Sequence, residues 1–259
     1  MSLASPGSLA GPGHSPGLPL TGERTVPGIE RENYWFRRHE VAYVHLADHC
    51  TDAVVLEAGC GEGYGADLLA HRAELVIGLD YDEVTAGHVA RAYPSVRAVR
   101  GNLASLPLRD GGIDVVANLQ VIEHLWDQEG FLRECRRVLR PGGLLLITTP
   151  NRLTFSPGRD TPLNPFHTRE LAPSELDGLV RGAGFAVEFL GGVHHGPALR
   201  ELDALLGGSI IDAQVEVAVS GAPWPAELVT AVASVSAADF EITTDDLDAS
   251  LDLVVVARA

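Results

Sequence analysis

The sequence contains no lysine: its 19 basic residues, set against 35 acidic ones, are all arginine. Without an ε-amine there is no phosphate-gripping lysine for a Walker-A nucleotide hydrolase, none for a protein kinase and no Schiff-base nucleophile. Clustered cations able to displace phosphate counterions are missing too. With a formal net charge of −16, a nucleic-acid footprint is not expected. Cysteine is scarce: Cys50, Cys60 and Cys135 form no CxxC pair and are odd in number, which speaks against a disulfide framework and for a reducing, cytoplasmic compartment. No apolar run approaches the roughly 18 residues of a membrane span, so a soluble protein without membrane insertion is expected. Residues 1–22 carry no Asp, Glu or Arg and are interrupted by four prolines. They lack the positive start and continuous apolar stretch of a secretory signal. They read as a flexible tail before a single domain over 23–259.

What the chain does have is alternation. A helix is expected over Glu32–Ala47. Buried-type strands follow at AVVLEAG from Ala53, at ELVIGLD ending in Asp80, at SVRAVRGN and at IDVVANLQ from Ile113. Helices near 65–72, over Glu83–Ala92 and over Gln128–Val138 separate them; the last places Phe131, Leu132, Cys135 and Val138 on one face. Pro141-Gly142-Gly143 is read as its stop, and LLLITTP as a fifth strand. A sixth strand over 185–190 and a last one over 251–257 complete the set. Strands alternating with helices predict an α/β fold with a mostly parallel sheet, helices on both faces and ligands bound beyond the carboxyl ends of the strands. The insertion over 191–250 is too long for a plain connection and is read as a lid or interface.

The loop Glu57-Ala58-Gly59-Cys60-Gly61-Glu62-Gly63-Tyr64-Gly65 follows the first strand directly. Its glycines permit positive φ and close approach of backbone to a ligand, and the next helix offers its amino-terminal amides. Two cofactor classes use such a loop. GEGYGA formally fits a dinucleotide pattern, a weak signal alone. Glu57, two residues before the first glycine, favours S-adenosylmethionine (SAM), because a carboxylate would repel a pyrophosphate but receive an ammonium. Asp80, ending the second strand, can accept two ribose hydroxyls in either class.

Taken together, LEAGCGEGYGADLL, LDYD, GNLASLPL, DVVANLQVIEHL and LRPGGLLLITTPN resemble the successive motifs of class I SAM-dependent methyltransferases. The resemblance implies a Rossmann-like, seven-stranded sheet whose last strand is antiparallel. By position it places Glu57, Gly59 and Gly61 around the methionine part and Asp80 on the ribose. Tyr81, Asn102 and Leu103 border the adenine, and Gln120 lies near the sulfonium. The upstream ENYWFRRHE resembles amino-terminal segments that close over SAM, making Tyr34, Trp35 and Arg38 further cofactor-binding candidates; packing as one helix face is the alternative.

For the acceptor, an alcohol is a weak nucleophile and needs a base or a divalent metal. Glu123-His124 follows the fourth strand, and an unperturbed histidine has a pKa near neutrality, which makes His124 a candidate base. The segment resembles the ExxEH of ubiquinone-pathway O-methyltransferases and small-RNA 3′-end 2′-O-methyltransferases, which bind metal with a later histidine. Here Gln120 stands for the first glutamate, and His167 is the candidate later ligand. Glu123, His124 and His167 would suit Mg²⁺ or Mn²⁺. His195, Asn164 and Arg159 are candidate acceptor contacts. Across its length, through TFSPGRDTPLNPFHTRE, GGSIIDAQ and GAPWP, the chain resembles the actinobacterial sugar O-methyltransferases of methylmannose-polysaccharide synthesis. That implies a small saccharide acceptor, the reducing-end 1-hydroxyl of a short O-methylated mannoside, and a monomer or homodimer. Against it stand a metal-dependent O-methyltransferase of a quinol or phenol, a SAM-binding scaffold without catalysis, and an NAD(P)-dependent oxidoreductase. The last is disfavoured by Glu57 and by the absence of a Tyr-x-x-x-Lys pair.

Overall fold

The computed structural model describes residues 25–259; the expected tail over 1–22 lies outside them. The chain runs α1 (Asn33–Leu46), β1 (Val54–Ala58), α2 (Tyr64–Ala70), β2 (Leu75–Asp80), α3 (Glu83–Ala92), β3 (Val96–Arg100) and β4 (Ile113–Leu119). It continues through α4 (Gln128–Val138), β5 (Leu139–Pro150), α5 (Arg152–Phe155), α6 (Pro173–Gly182) and β6 (Ala186–His195). Then come α7 (Pro197–Leu205), α8 (Ile210–Ser220), α9 (Ala226–Ser234), β7 (Phe240–Thr243) and β8 (Asp252–Arg258). No helix among the described residues is long and apolar enough to cross a membrane.

The strands form one mixed sheet in the order β3-β2-β1-β4-β5-β8-β6-β7. Neighbours from β3 to β5 pair in parallel, and β8 enters antiparallel between β5 and β6, as expected for the last strand. The sheet has eight strands rather than seven. β6 does not stop at 190 but continues through Gly191 and Gly192 to His195, pairing Gly192–His195 with the four-residue β7. Side chains would be unwelcome there: a Cβ on Gly192 would lie 2.3 Å from that of Ser250.

Apolar side chains on both sheet faces build two cores. One lies beneath α4 and α6, where Phe131, Leu132, Cys135 and Val138 are all buried as their spacing predicts; burying each is worth about 1.5–3 kcal/mol. Asp127 caps α4 by accepting the Gly130 N–H at 2.7 Å. That helix ends at Val138, and Pro141-Gly142-Gly143 lies within β5 at a register shift rather than in a separate stop.

The second core lies beneath α1 and α2. Leu199, Ile210, Leu228, Val232 and Phe240 join it from the segment read as a lid. The Asn33 amide donates to the Val232 and Val235 carbonyls at 3.0 and 2.8 Å, tying the insertion to α1. The insertion therefore packs as a buttress through these apolar side chains, while Leu205, Val215 and Val219 stay exposed.

Candidate active site

Beyond the carboxyl ends of β1, β2 and β4 opens a cleft of about 510 Å³. Its floor is the glycine loop. Gly59 has φ +92°, and a Cβ there would come within 2.7 Å of the Val121 side chain; Gly61, at φ +52°, faces open space in the cleft. Glu62 anchors the loop from behind: its buried carboxylate accepts from Tyr93 Oη at 2.6 Å and pairs with His88 Nε2 at 2.8 Å. Asp80 lines the wall, with one oxygen accepting the Gly61 N–H at 3.1 Å and the other the Asp82 N–H at 3.0 Å. Those bonds fix the carboxylate before any ligand arrives.

Glu57 is fully buried two residues before Gly59. Its Oε1 accepts from Tyr43 Oη at 2.6 Å, while Oε2 has no partner. Burial pushes the carboxyl up to about 8, against the Tyr43 hydroxyl and with Asp80 adding to the rise. A half-satisfied carboxylate beneath a positive-φ glycine loop suits a ligand with a cationic amino-acid head, and SAM fits these residues. Leu103, Tyr81 and Gln120 line the cleft, whereas Glu57 lies behind its wall. Gln120 holds φ +59°, a left-handed conformation unusual outside glycine, at the strand-to-loop switch of β4. Asn102 does not reach the cleft; its side chain closes a turn by accepting the Ala104 N–H at 2.9 Å.

At the other end, Glu123, His124 and His167 converge, with one donor atom from each within 4.8 Å of the others. The two loops carrying them are strapped together: the Glu123 carbonyl accepts from Thr168 N at 2.7 Å and Arg169 N at 3.1 Å. His124 Nδ1 lies 3.0 Å from the Phe166 carbonyl, an oxygen that can only accept, so Nδ1 carries a proton and donates it there. Likewise His167 Nδ1 donates to Glu170 at 2.6 Å, and its Nε2 accepts from Asn164 Nδ2 at 3.1 Å. Orienting each ring through its second nitrogen is what metal-binding imidazoles need. Glu123 is buried, with Oε2 accepting from Thr149 Oγ1 at 2.9 Å and Oε1 3.9 Å from His124 Nε2. Burial pushes its carboxyl up to about 7, against the pull of His167 and with Asp252 adding.

The amino-terminal helix contributes differently from expectation. Tyr34 and Arg38 are buried away from the cleft, and Trp35 packs on the core. Arg38 makes a bidentate pair with Asp252 at 2.6 and 2.7 Å, and its guanidinium lies 5.6 Å from the Trp35 ring centre. The cleft is lined instead by His39 and Tyr43, about 140° round the helix from Tyr34 and Arg38, and by Thr25. Burial pushes the His39 imidazole down to about 4, with Asp252 pulling the other way. His195, read as an acceptor contact, is sealed: Nε2 bonds Tyr34 Oη at 2.6 Å and Nδ1 bonds Asp203 at 2.7 Å. The extra reach of β6 and its pairing with β7 put His195 under α1. Arg159 lies exposed on its loop, and Asn164 serves His167 rather than the cleft wall. No residue of 191–250 lines the cleft.

Charge is distributed unevenly. None of the described lining residues is an arginine, and the chain has no lysine, so an anionic acceptor would find no counter-ion there.

The general methyltransferase domain model matches residues 56–147, from β1 through most of β5. A probable S-adenosylmethionine-dependent methyltransferase of Mycolicibacterium smegmatis is 63% identical over 243 residues, covering 93% of this chain and 95% of that protein. A ubiquinone biosynthesis O-methyltransferase of Chromobacterium violaceum is 29% identical over 163 residues, covering 56% and 70%. Among solved structures, a SAM-dependent methyltransferase from Mesorhizobium loti superposes with a TM-score of 0.56 at 18% identity, covering 86% of this chain and 98% of that one, which bears on the fold alone. With near-full-length identity of that order, and the glycine loop, Glu57 and Asp80 disposed as described, the chain belongs to the SAM-dependent methyltransferases.

Proposed function

We propose that this methyltransferase acts on a hydroxyl of a small saccharide, with the reducing-end 1-hydroxyl of a short O-methylated mannoside as the acceptor its sequence resemblance suggests. The observation carrying O-methylation is the Glu123–His124–His167 cluster, which reaches the cleft through His124, in a lining without arginine or lysine. SAM, when bound, supplies a methyl group already activated on a sulfonium sulfur. The protein's tasks are then alignment and removal of a proton. Asp80 accepts the ribose hydroxyls, and Glu57, held by Tyr43, receives the amino-acid ammonium. His124 takes the acceptor's proton at Nε2, with Nδ1 fixed on the Phe166 carbonyl. Glu123 then stabilises the resulting imidazolium.

Glu123, His124 and His167 would also hold a divalent cation, which would supply Lewis acidity to the acceptor oxygen. Two imidazoles and one carboxylate suit Mn²⁺ better than Mg²⁺, and the neutral Gln120 lowers the charge available to either. His124 would then serve as a ligand, and Asn164 would have to leave His167 Nε2. Chelation tests this: EDTA should suppress turnover, Mn²⁺ or Mg²⁺ should restore it, and full activity after exhaustive chelation removes the metal from the reading.

The deciding experiment is incubation with SAM, a divalent ion and a panel of small saccharides, with mass spectrometry for the gain of one methylene unit. A second reading, a quinol or phenol acceptor, is favoured by the similarity to the ubiquinone biosynthesis enzyme, so catechol belongs in the panel. Exclusive methylation of catechol, RNA or a carboxylic acid would overturn the saccharide reading.

A further inference from the structure

Of the three tryptophans, Trp35 and Trp224 pack against the core, whereas Trp126 is 93% exposed on the cleft rim. Phe166, 42% exposed, lines the same cleft. An indole left in water gives up one of the largest apolar burials a side chain offers. Its backbone setting is not loose. Two residues earlier stands His124; the Leu125 carbonyl accepts from Thr168 Oγ1 at 2.7 Å, and Asp127 caps α4. Gln128 Nε2 bridges the Ile122 and Arg169 carbonyls at 3.0 and 2.9 Å. The loop that orients His124 thus also fixes Trp126, and the Phe166 backbone that holds His124 Nδ1 carries the second ring.

We propose that Trp126, with Phe166, is the acceptor-binding platform, against which an uncharged ring lays its flat face while a hydroxyl on that ring reaches His124. The inference rests on reading this cleft as the acceptor site. Stacking on an indole rewards a rigid face and not the number of hydroxyls. The missing cationic lining disfavours ring acceptors bearing phosphate or carboxylate. The platform therefore selects for cyclic acceptors and against open-chain polyols with the same hydroxyl chemistry.

The test uses the full chain saturated with SAM and three probes: D-mannose, its acyclic counterpart mannitol, and catechol. Trp126→Ala should raise the KM of whichever ring probe is methylated by about tenfold or more, Trp126→Phe should recover most of it, and SAM affinity should stay within about twofold. Binding is read separately from turnover. The ring probe should shift tryptophan emission to the blue, mannitol should not, and the shift should vanish in Trp126→Phe. Methylation of catechol instead of mannose would refute the saccharide reading and leave the platform standing. An unchanged KM in Trp126→Ala, mannitol used as well as mannose, or no emission change with either ring probe would overturn the platform.

Discussion

Two histidine–carboxylate pairs lie beyond the carboxyl ends of strands, and they look alike until the second ring nitrogen is followed. His167 donates Nδ1 to Glu170 at 2.6 Å, and His195 bonds Asp203 through Nδ1 at 2.7 Å. From His167 the other nitrogen accepts from Asn164, with the buried Glu123 and the cleft-lining His124 beside it. From His195 it meets Tyr34 Oη, fully buried, next to Arg38 and Asp252. Burial pushes the His195 imidazole down from its ordinary range, as a structural histidine requires. The two pairs differ in what the second nitrogen meets: a fully buried phenol for His195, and for His167 a loop amide beside His124 and Glu123.

Breaking the cleft side should have the largest effect. His124→Ala is expected to lose roughly 10²–10⁴-fold in kcat with SAM affinity intact, the usual range for a positioned base; calorimetry alongside a methyl-transfer assay checks both halves. On the sealed side the loss should fall on stability. Asp252→Asn strands the buried Arg38 cation, so urea unfolding should show about 3–5 kcal/mol less stability. His195→Ala, which takes a partner from Tyr34 Oη and from one oxygen of Asp203, should cost about 1–3 kcal/mol while kcat stays within about twofold. If His195→Ala instead abolished turnover at unchanged stability, the contrast between the pairs would collapse.

The smallest effect concerns Glu57, whose Oε2 has no partner in the fold and which we propose receives the ligand's ammonium. Its carboxyl is raised to about 8 in the fold from an ordinary 4.5, so the SAM-free fold holds a proton that the unfolded chain gives up. Its contribution to stability is therefore complete below about 4.5 and is lost as pH rises through about 8. Receiving an ammonium demands the charged form, so SAM binding near neutral pH should release up to one proton. Calorimetry in buffers of different ionisation enthalpy measures that release. Glu57→Gln should abolish it and flatten the alkaline fall in stability.

Much of this was legible from local pattern. The glycine loop, Glu57, Asp80 and the buried face of α4 depend on neighbours within one βαβ unit, and sequence spacing reports them directly. The phase of α1 was not legible. Tyr34 and Arg38, like His39 and Tyr43, are an i, i+4 pair of an aromatic and a basic residue, and only the partner elements decide which pair faces the cleft. The packing of the insertion was hidden for a related reason: its length suggested a lid or interface, and only the fold shows Leu199, Ile210 and Leu228 as core residues of a surface built elsewhere in the chain. β7 alternates apolar and polar residues over only four positions, too few to stand out, so the sheet's eighth strand and the sealing of His195 were hidden together. Trp126 carried no signal beyond being a tryptophan, because exposure is a tertiary property.

The antiparallel wedge β8 also has a consequence for how the molecule assembles. From β3 to β5 the sheet pairs strands within about half the chain, whereas β8 must find β5 across more than a hundred intervening residues. Chain closure over that distance is paid before any pairing rewards it, which slows folding. Asp252 stands at the head of this strand, so the Arg38 guanidinium stays hydrated until the wedge arrives. Sheet completion and the drying of that charge are one late kinetic event, and refolding should show its slow phase in the loss of solvent access around α1.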